Sequence, residues 1–90
     1  MELILSSAAK HYEEEVEGLG KAFVESLRTG LLHIRNHPEA SVAIKQNYRR
    51  HLLSRFPFGI VYRIDDGTIF VAAVMHLRRK PDYWLTDPAE

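Results

Sequence analysis

The sequence contains no cysteine, and this absence excludes several classes of protein at once. There can be no disulfide framework and no cysteine-ligated zinc, and nothing points to secretion. No apolar run approaches the roughly 18 residues of a membrane span, and the N-terminus lacks a basic region followed by an apolar stretch. With 90 residues and no internal repeat or linker, the chain is expected to form one domain, residues 1–90, in the reducing cytoplasm.

An excess of one charge is also lacking, because twelve basic residues balance twelve acidic ones, but the two signs are unevenly distributed. Residues 40–80 hold eight basic side chains against two acidic ones, whereas both ends of the chain are acidic. The basic residues of this block are Lys45, Arg49, Arg50, Arg55, Arg63, Arg78, Arg79 and Lys80. The block favours a polyanion or an acidic protein as partner; the alternative is a solvated, arginine-rich strand face.

The first half of the chain has the hydrophobic spacing of two helices. Residues 2–17 predict one amphipathic helix that stops at Gly18, with a short strand at residues 3–5 as the alternative. A second helix follows Gly18-Leu19-Gly20 and ends at Asn36-His37-Pro38, because proline disfavours helical geometry in the residue before it. The apolar stripe of this second helix is Phe23, Leu27, Leu31 and Ile34. Gly30 interrupts the helix at a cost of about 1 kcal/mol relative to alanine, which hints at close packing.

The second half has the two-residue period of strands. We predict strands at residues 49–54, 58–65 and 68–77, the last ended by Pro81. Asp66-Gly67 supplies the positive φ angles of a tight hairpin between the last two strands. The continuous apolar run at residues 70–74 predicts a strand covered on both faces and central in the sheet. The expected fold is therefore α+β, a helical hairpin packed on a three-stranded antiparallel meander.

Four groups of residues are candidates for chemistry. Arg49, Arg50 and Arg55 have planar guanidinium groups suited to binding phosphate. The alternative is that their charges prevent a solvated edge strand from pairing with a further strand. His76 precedes three cations, a grouping that could bind a phosphodiester and assist proton transfer; the alternative is ordinary surface polarity. Tyr83-Trp84 could stack on a base or anchor a partner, although closure of the core over the sheet is the commoner role of such a tryptophan. The remaining histidines, His11, His33, His37 and His51, have no spacing suited to a metal site.

Taken together, five motifs resemble the RelE/ParE superfamily of toxins over about residues 5–85. The motifs are Gly18-Leu19-Gly20-x-x-Phe23, Ile34-x-x-His37-Pro38, Arg49-Arg50, Arg55-Phe56-Pro57-Phe58-x-Ile60-Val61-Tyr62 and His76-x-Arg78-Arg79-x-Pro81-x-x-Trp84. The resemblance implies the toxin of a bacterial type II toxin–antitoxin (plasmid stabilisation) system, which a cognate antitoxin neutralises. It also implies a sheet packed on a helical hairpin, in agreement with the periodicity, and either a homodimer or a toxin–antitoxin hetero-oligomer.

The superfamily contains ribosome-dependent messenger-RNA endonucleases (mRNA interferases) and poisons of DNA gyrase. For a nuclease, the resemblance implies that Arg78 stabilises the charge developing on phosphate and that His76 transfers the proton. The RNA backbone or another target would be held by Arg49, Arg50, Arg55, Arg63, Arg79 and Lys80. No metal or other cofactor is implied, because the ribose 2′-hydroxyl can serve as the nucleophile.

Two positions depart from the pattern of the nucleases. Where those enzymes have an arginine and a tyrosine, this chain has Gly59 and Trp84, and an indole is not a general acid or base at neutral pH. The strand that usually precedes the first helix is also missing from the pattern, so either the start of the chain is truncated or the protein has lost that strand. A gyrase poison without catalysis, or a degenerate member that only binds antitoxin, are the alternatives to the nuclease.

Overall fold

The computed structural model describes residues 2–78, with side chains from residue 8 onward, as two helices followed by a four-stranded antiparallel sheet. The helices are α1 (Glu2–Glu15) and α2 (Leu19–Asn36). The strands are β1 (Val42–Ala43), β2 (Tyr48–Leu52), β3 (Phe58–Asp65) and β4 (Thr68–His76). The α+β class and the helical hairpin are confirmed, and the alternative strand at residues 3–5 is wrong. Pro81, Tyr83 and Trp84 lie outside the described residues.

The turn between the helices depends on two glycines. Gly18 has a φ of 87°, in the left-handed region that favours glycine. The Glu13 carboxylate accepts hydrogen bonds from the backbone N–H of Gly18 at 2.9 Å and of Gly20 at 3.0 Å. These bonds, led by the one from Gly18, hold the pKa of Glu13 below its ordinary value. A Cβ at Gly20 would lie 2.5 Å from the carbonyl oxygen of Ala9, so only glycine allows the two helices to approach this closely.

The core lies between the helices and one face of the sheet, which we call the helix face. Phe23 of α2 is fully buried, and its ring centroid lies 5.3 Å from that of Phe56 and 5.2 Å from that of Phe58, both in edge-to-face geometry. Gly30 confirms the expected close approach, since a Cβ there would lie 3.1 Å from side-chain atoms of Ile60 and Leu53. The Tyr62 hydroxyl donates to the Pro38 carbonyl at 2.7 Å and so ties the segment after α2 to the core.

The sheet has the order β1-β2-β3-β4, and β1 was not predicted. This strand pairs Val42 with Arg50 and Ala43 with Arg49, and it is too short to give a readable period. The connection to β2 turns through Gln46 and Asn47, both with positive φ. The predicted three-stranded meander is therefore extended at one edge by the short strand β1. The Asp66-Gly67 hairpin is confirmed, with φ angles of 56° and 82° that fit a type I′ turn.

Within residues 2–78, the apolar run at residues 70–74, which was predicted to be a central strand, is instead an edge strand. Among the described residues, β4 has a neighbouring strand on one side only, and β3 lies inside the sheet. Phe70 and Val71 are 44% and 38% exposed, whereas β3 is buried from Phe58 to Tyr62. An apolar run reports only that side chains of both faces are apolar, and it does not report which strand lies at the edge.

Candidate functional site

The strand register divides the candidate arginines between the two faces of the sheet. Arg49 lies opposite Tyr62, so it belongs to the helix face. Arg50 lies opposite Val61 and Arg63 lies opposite Tyr48, so both belong to the other face, which we call the outer face. The neighbouring residues Arg49 and Arg50 therefore point in opposite directions, because side chains alternate along a strand.

Arg49 holds the chain segment that leads into β1. One guanidinium nitrogen donates to the Ser41 carbonyl at 2.9 Å and to the Glu39 carbonyl at 3.3 Å. Beside it is a cleft lined by Glu39, Ala43, Ile44, Asn47, Arg49 and Ile64. These hydrogen bonds give Arg49 a structural role at the sheet edge.

Arg50 lies across Gly59, the position at which the nucleases carry an arginine. A Cβ at Gly59 would meet Cγ of Arg50 at 3.1 Å and its Cδ at 3.2 Å. The aliphatic part of Arg50 thus occupies the space over the glycine, and a longer side chain at residue 59 would have to displace it. Arg50 therefore lies on the outer face, next to the position, residue 59, at which the resemblance leads us to expect an arginine.

Arg63 is the centre of a cluster near the other end of the outer face. Its Cζ lies 4.8 Å from the centroid of the Phe70 ring and 5.8 Å from that of Tyr48, and it donates to the Tyr48 hydroxyl at 3.2 Å. Asp65 lies 3.8 Å from the same guanidinium group. Tyr48 and Phe70 were not among the predicted site residues, and only the strand register, which aligns both with Arg63, could have revealed them.

Arg55 lies in the loop between β2 and β3, with a positive φ of 74°. Its Cζ is 5.7 Å from the ring centroid of Phe56, and it lines a cleft against α2 with Ala22, Glu25, Ser26, Thr29 and Ser54. The same loop accepts a hydrogen bond at the Pro57 carbonyl from the N–H of Leu77, at 2.9 Å. This bond brings the end of β4 next to the loop, so Arg55, His76 and Arg78 share one end of the sheet.

The two predicted catalytic residues are close together. The N–H of Arg78 donates to Nδ1 of His76 at 3.1 Å, and the His76 ring packs edge-on against Phe58 with centroids 4.9 Å apart. His76 lies opposite Phe58 on the helix face and is half-buried, whereas the side chain of Arg78 is exposed. Arg79 and Lys80 lie outside the described residues.

A cluster of three histidines lies where α2 meets β2. The ring of His33 stacks on that of His51 at 5.0 Å between centroids, and His37 lies 5.2 Å from His33. Burial, and then the nearby His33, lower the pKa of His51 from its ordinary value. Within residues 2–78, no group of three His, Asp or Glu side chains is arranged to hold a metal ion.

The same part of the chain has no helix with the length and hydropathy needed to cross a membrane. A search of curated proteins and a search of solved structures each find no match. A family model, described as the ParE toxin of the parDE type II toxin–antitoxin system, matches residues 4–81. The chain therefore belongs to the ParE family, the toxins of type II toxin–antitoxin systems, and membership of this family implies an antitoxin partner.

Proposed function

We propose that this protein arrests growth by binding DNA gyrase rather than by cleaving messenger RNA, and that a cognate antitoxin neutralises it by covering the outer face. The observation that carries the proposal is the separation of the candidate arginines. Arg49 is bonded to backbone carbonyls on the helix face, and Arg50 and Arg63 lie on the outer face. A nuclease without a metal needs its cations and its proton-transfer group around one phosphate.

The candidate proton-transfer group is poorly placed for that chemistry. Nδ1 of His76 already accepts a hydrogen bond, and the ring packs against Phe58 of the core. Gly59 supplies no charge, and Arg50 fills the space above it. Of the two activities that the resemblance to the superfamily implies, gyrase poisoning is the one that needs no catalytic residue. The family model that matches the chain is that of the ParE toxin.

The outer face has the composition of a protein-binding surface. It combines Arg50 and Arg63 with the exposed side chains of Leu52 and Phe70. Arginine and aromatic residues are enriched where interfaces derive most of their energy, and acidic residues of a partner would complement the two guanidinium groups. We expect an acidic, apolar segment of the antitoxin to bury at least about 1,000 Å² here.

The test is expression of the toxin without antitoxin, followed by assays with purified components. The proposal expects DNA-damage signalling and filamentation before any loss of messenger RNA, and inhibition of purified gyrase on plasmid DNA. Arg50→Glu should abolish this inhibition, whereas His76→Gln should leave it unchanged. A toxin that cuts messenger RNA within ribosome-bound codons would contradict the proposal.

The nuclease is the second candidate, and the location of Arg55, His76 and Arg78 at one end of the sheet favours it. In that case Arg78→Ala should abolish cleavage, and His76→Gln should slow it by roughly a hundredfold or more, as expected for loss of a general acid or base. Both variants must keep the wild-type melting temperature for this interpretation. The absence of any growth defect would leave a degenerate member that only binds antitoxin, and would contradict both candidates.

A further inference from the structure

Arg63 is held in a fixed orientation on the outer face by two aromatic side chains. Its Cζ lies 4.8 Å from the centroid of the Phe70 ring, and one guanidinium nitrogen donates to the Tyr48 hydroxyl at 3.2 Å. Phe70 and Tyr48 are the residues directly opposite Arg63 on the two neighbouring strands, β4 and β2. A side chain that is already oriented loses less conformational entropy when a partner binds it.

The guanidinium group of Arg63 keeps donors for a further acceptor. It has several N–H groups, of which the described contacts place one at hydrogen-bond distance from an acceptor, the Tyr48 hydroxyl. The Asp65 carboxylate lies 3.8 Å from the other terminal nitrogen, which is too long for a hydrogen bond. The side chains of Arg63 and Asp65 are 37% and 60% exposed, so solvent reaches both. A carboxylate that binds a guanidinium group in the bidentate arrangement accepts two of its N–H groups.

We propose that Arg63 binds a carboxylate of the antitoxin, and that Asp65 competes with this carboxylate for the same guanidinium group. This role rests on the proposed function, because it takes the outer face as the antitoxin surface. Asp65 lies two residues from Arg63 on the same strand, so both side chains belong to this face. The Asp65 carboxylate must move away before a carboxylate of the partner takes its place. Asp65 therefore lowers the affinity for antitoxin.

The charges of the sheet favour an acidic partner at this position. Arg50 and Arg63 are diagonal neighbours on β2 and β3, where Cα atoms are about 7–8 Å apart, so their positive charges repel each other. Asp65 is the only acidic residue of the four described strands, and the register places it on the far side of Arg63 from Arg50. A carboxylate of the partner that lies between the two arginines reduces this repulsion.

The apolar part of the same surface favours a protein over a nucleic-acid backbone. Leu52 and Phe70 are 51% and 44% exposed on the outer face, which they share with the two arginines. An acidic and apolar segment of a protein buries such side chains while its carboxylates meet the guanidinium groups. A row of phosphates supplies the charge but no apolar surface. The site is therefore assigned to a carboxylate rather than to a phosphate.

Acetate is the probe of the first experiment, because it carries the carboxylate alone and its binding depends on neither gyrase nor antitoxin. It is added to the isotopically labelled toxin at constant ionic strength, with chloride as the balancing anion, and NMR follows the Nε–H signal of Arg63. We expect this signal to shift and to saturate. In Asp65→Asn, saturation should require roughly two- to fivefold less acetate, the range expected for loss of an exposed ion pair.

Asp66→Asn is the matched control for Asp65→Asn. It removes the same charge from the next residue, and no described ion pair joins Asp66 to Arg63. Asparagine also accepts the positive φ of 56° at this turn position, so the hairpin is kept. Asp66→Asn should therefore leave the acetate titration as it is in the wild-type chain.

The purified cognate antitoxin is the probe of the second experiment, which uses titration calorimetry. Asp65→Asn should tighten binding by roughly two- to fivefold, and Asp66→Asn should not. In the Arg63→Gln background the difference between the two asparagine variants should disappear, because Asp65 then has no guanidinium group to occupy. Melting temperatures check that each variant is folded.

The proposal is overturned if acetate leaves the Arg63 signal unchanged, or if inorganic phosphate shifts that signal and acetate does not. It is also overturned if Asp65→Asn and Asp66→Asn change the antitoxin affinity equally. These outcomes are separate from those of the proposed function. Cleavage of messenger RNA contradicts gyrase poisoning and leaves the acetate result standing, whereas gyrase inhibition together with an unchanged Arg63 signal overturns the carboxylate site alone.

Discussion

The two faces of the sheet are built in different ways. On the helix face, three aromatic rings surround the fully buried Phe23 of α2: Phe56 and Phe58 pack against it edge-to-face, and Tyr12 of α1 is tilted against it. On the outer face, arginines lie over small or apolar neighbours, as Arg50 does over Gly59, and Phe70 remains 44% exposed. The outer face is itself buried in part, since Val61 and Met75 are fully buried, so the part available for a partner is the exposed one around Leu52 and Phe70.

The largest difference in stability between the two faces is expected when one phenylalanine on each face is replaced by alanine. Phe23→Ala removes a fully buried ring from the aromatic cluster and should destabilise the fold by about 3–5 kcal/mol. Phe70→Ala, on the outer face, should cost no more than about 1 kcal/mol, because its ring is only partly buried. Urea unfolding followed by circular dichroism measures both, and similar losses of stability would contradict the contrast.

Paired glycine substitutions should give an intermediate effect. In Gly20→Ala the new Cβ would lie 2.5 Å from the Ala9 carbonyl oxygen, so the helices must separate, at a cost of about 1–3 kcal/mol. In Gly59→Ala the Cβ meets the aliphatic part of Arg50, which can move, and Cδ2 of Leu52 at an ordinary contact distance of 3.5 Å, so the change should stay within about 0.5 kcal/mol. Thermal unfolding of both variants is the measurement. A Gly59→Ala protein as unstable as Gly20→Ala would show that the outer face is also tightly packed.

Charge changes at the neighbouring arginines should separate binding from stability. Arg50→Glu should weaken antitoxin binding by at least tenfold, about 1.4 kcal/mol, without lowering the melting temperature. Arg49→Ala should instead lower stability by about 1 kcal/mol, because it removes the hydrogen bonds to the Ser41 and Glu39 carbonyls. Titration calorimetry and melting curves give the two quantities. Antitoxin affinity that survives reversal at Arg50 and Arg63 would exclude the outer face.

The smallest effect concerns pH. Because the pKa of His51 is lower in the folded chain than in the unfolded one, the unfolded state binds more protons as the pH falls below about 6.5. Stability should therefore be fully present above that pH and decline below it. His51→Gln should flatten this part of the pH dependence. Urea midpoints between pH 5 and pH 8 measure the slopes, and identical slopes in the wild-type chain and in His51→Gln would contradict the assignment to His51.

The motifs that carry the resemblance to the superfamily are mainly structural here. Phe56 and Phe58 surround Phe23, and the Tyr62 hydroxyl holds the Pro38 carbonyl. A sequence pattern of this kind therefore predicts the fold well, because chains with this fold need similar side chains at the positions that form the core. It predicts the activity less well, since the positions expected to differ between nucleases and gyrase poisons, such as Gly59, contribute little to that packing.

Local chemistry in the sequence determined the helical hairpin, the three longer strands and the turn at Asp66-Gly67. Each depends on short-range features: hydrophobic spacing, a proline after α2, and residues that accept positive φ. Only the tertiary structure decided that β4 is an edge within the described residues, that Arg49 and Arg50 face opposite sides, and that His33 stacks on His51. The physical reason is that strand order, register and helix docking are set by contacts between residues far apart in the chain, which no local pattern encodes.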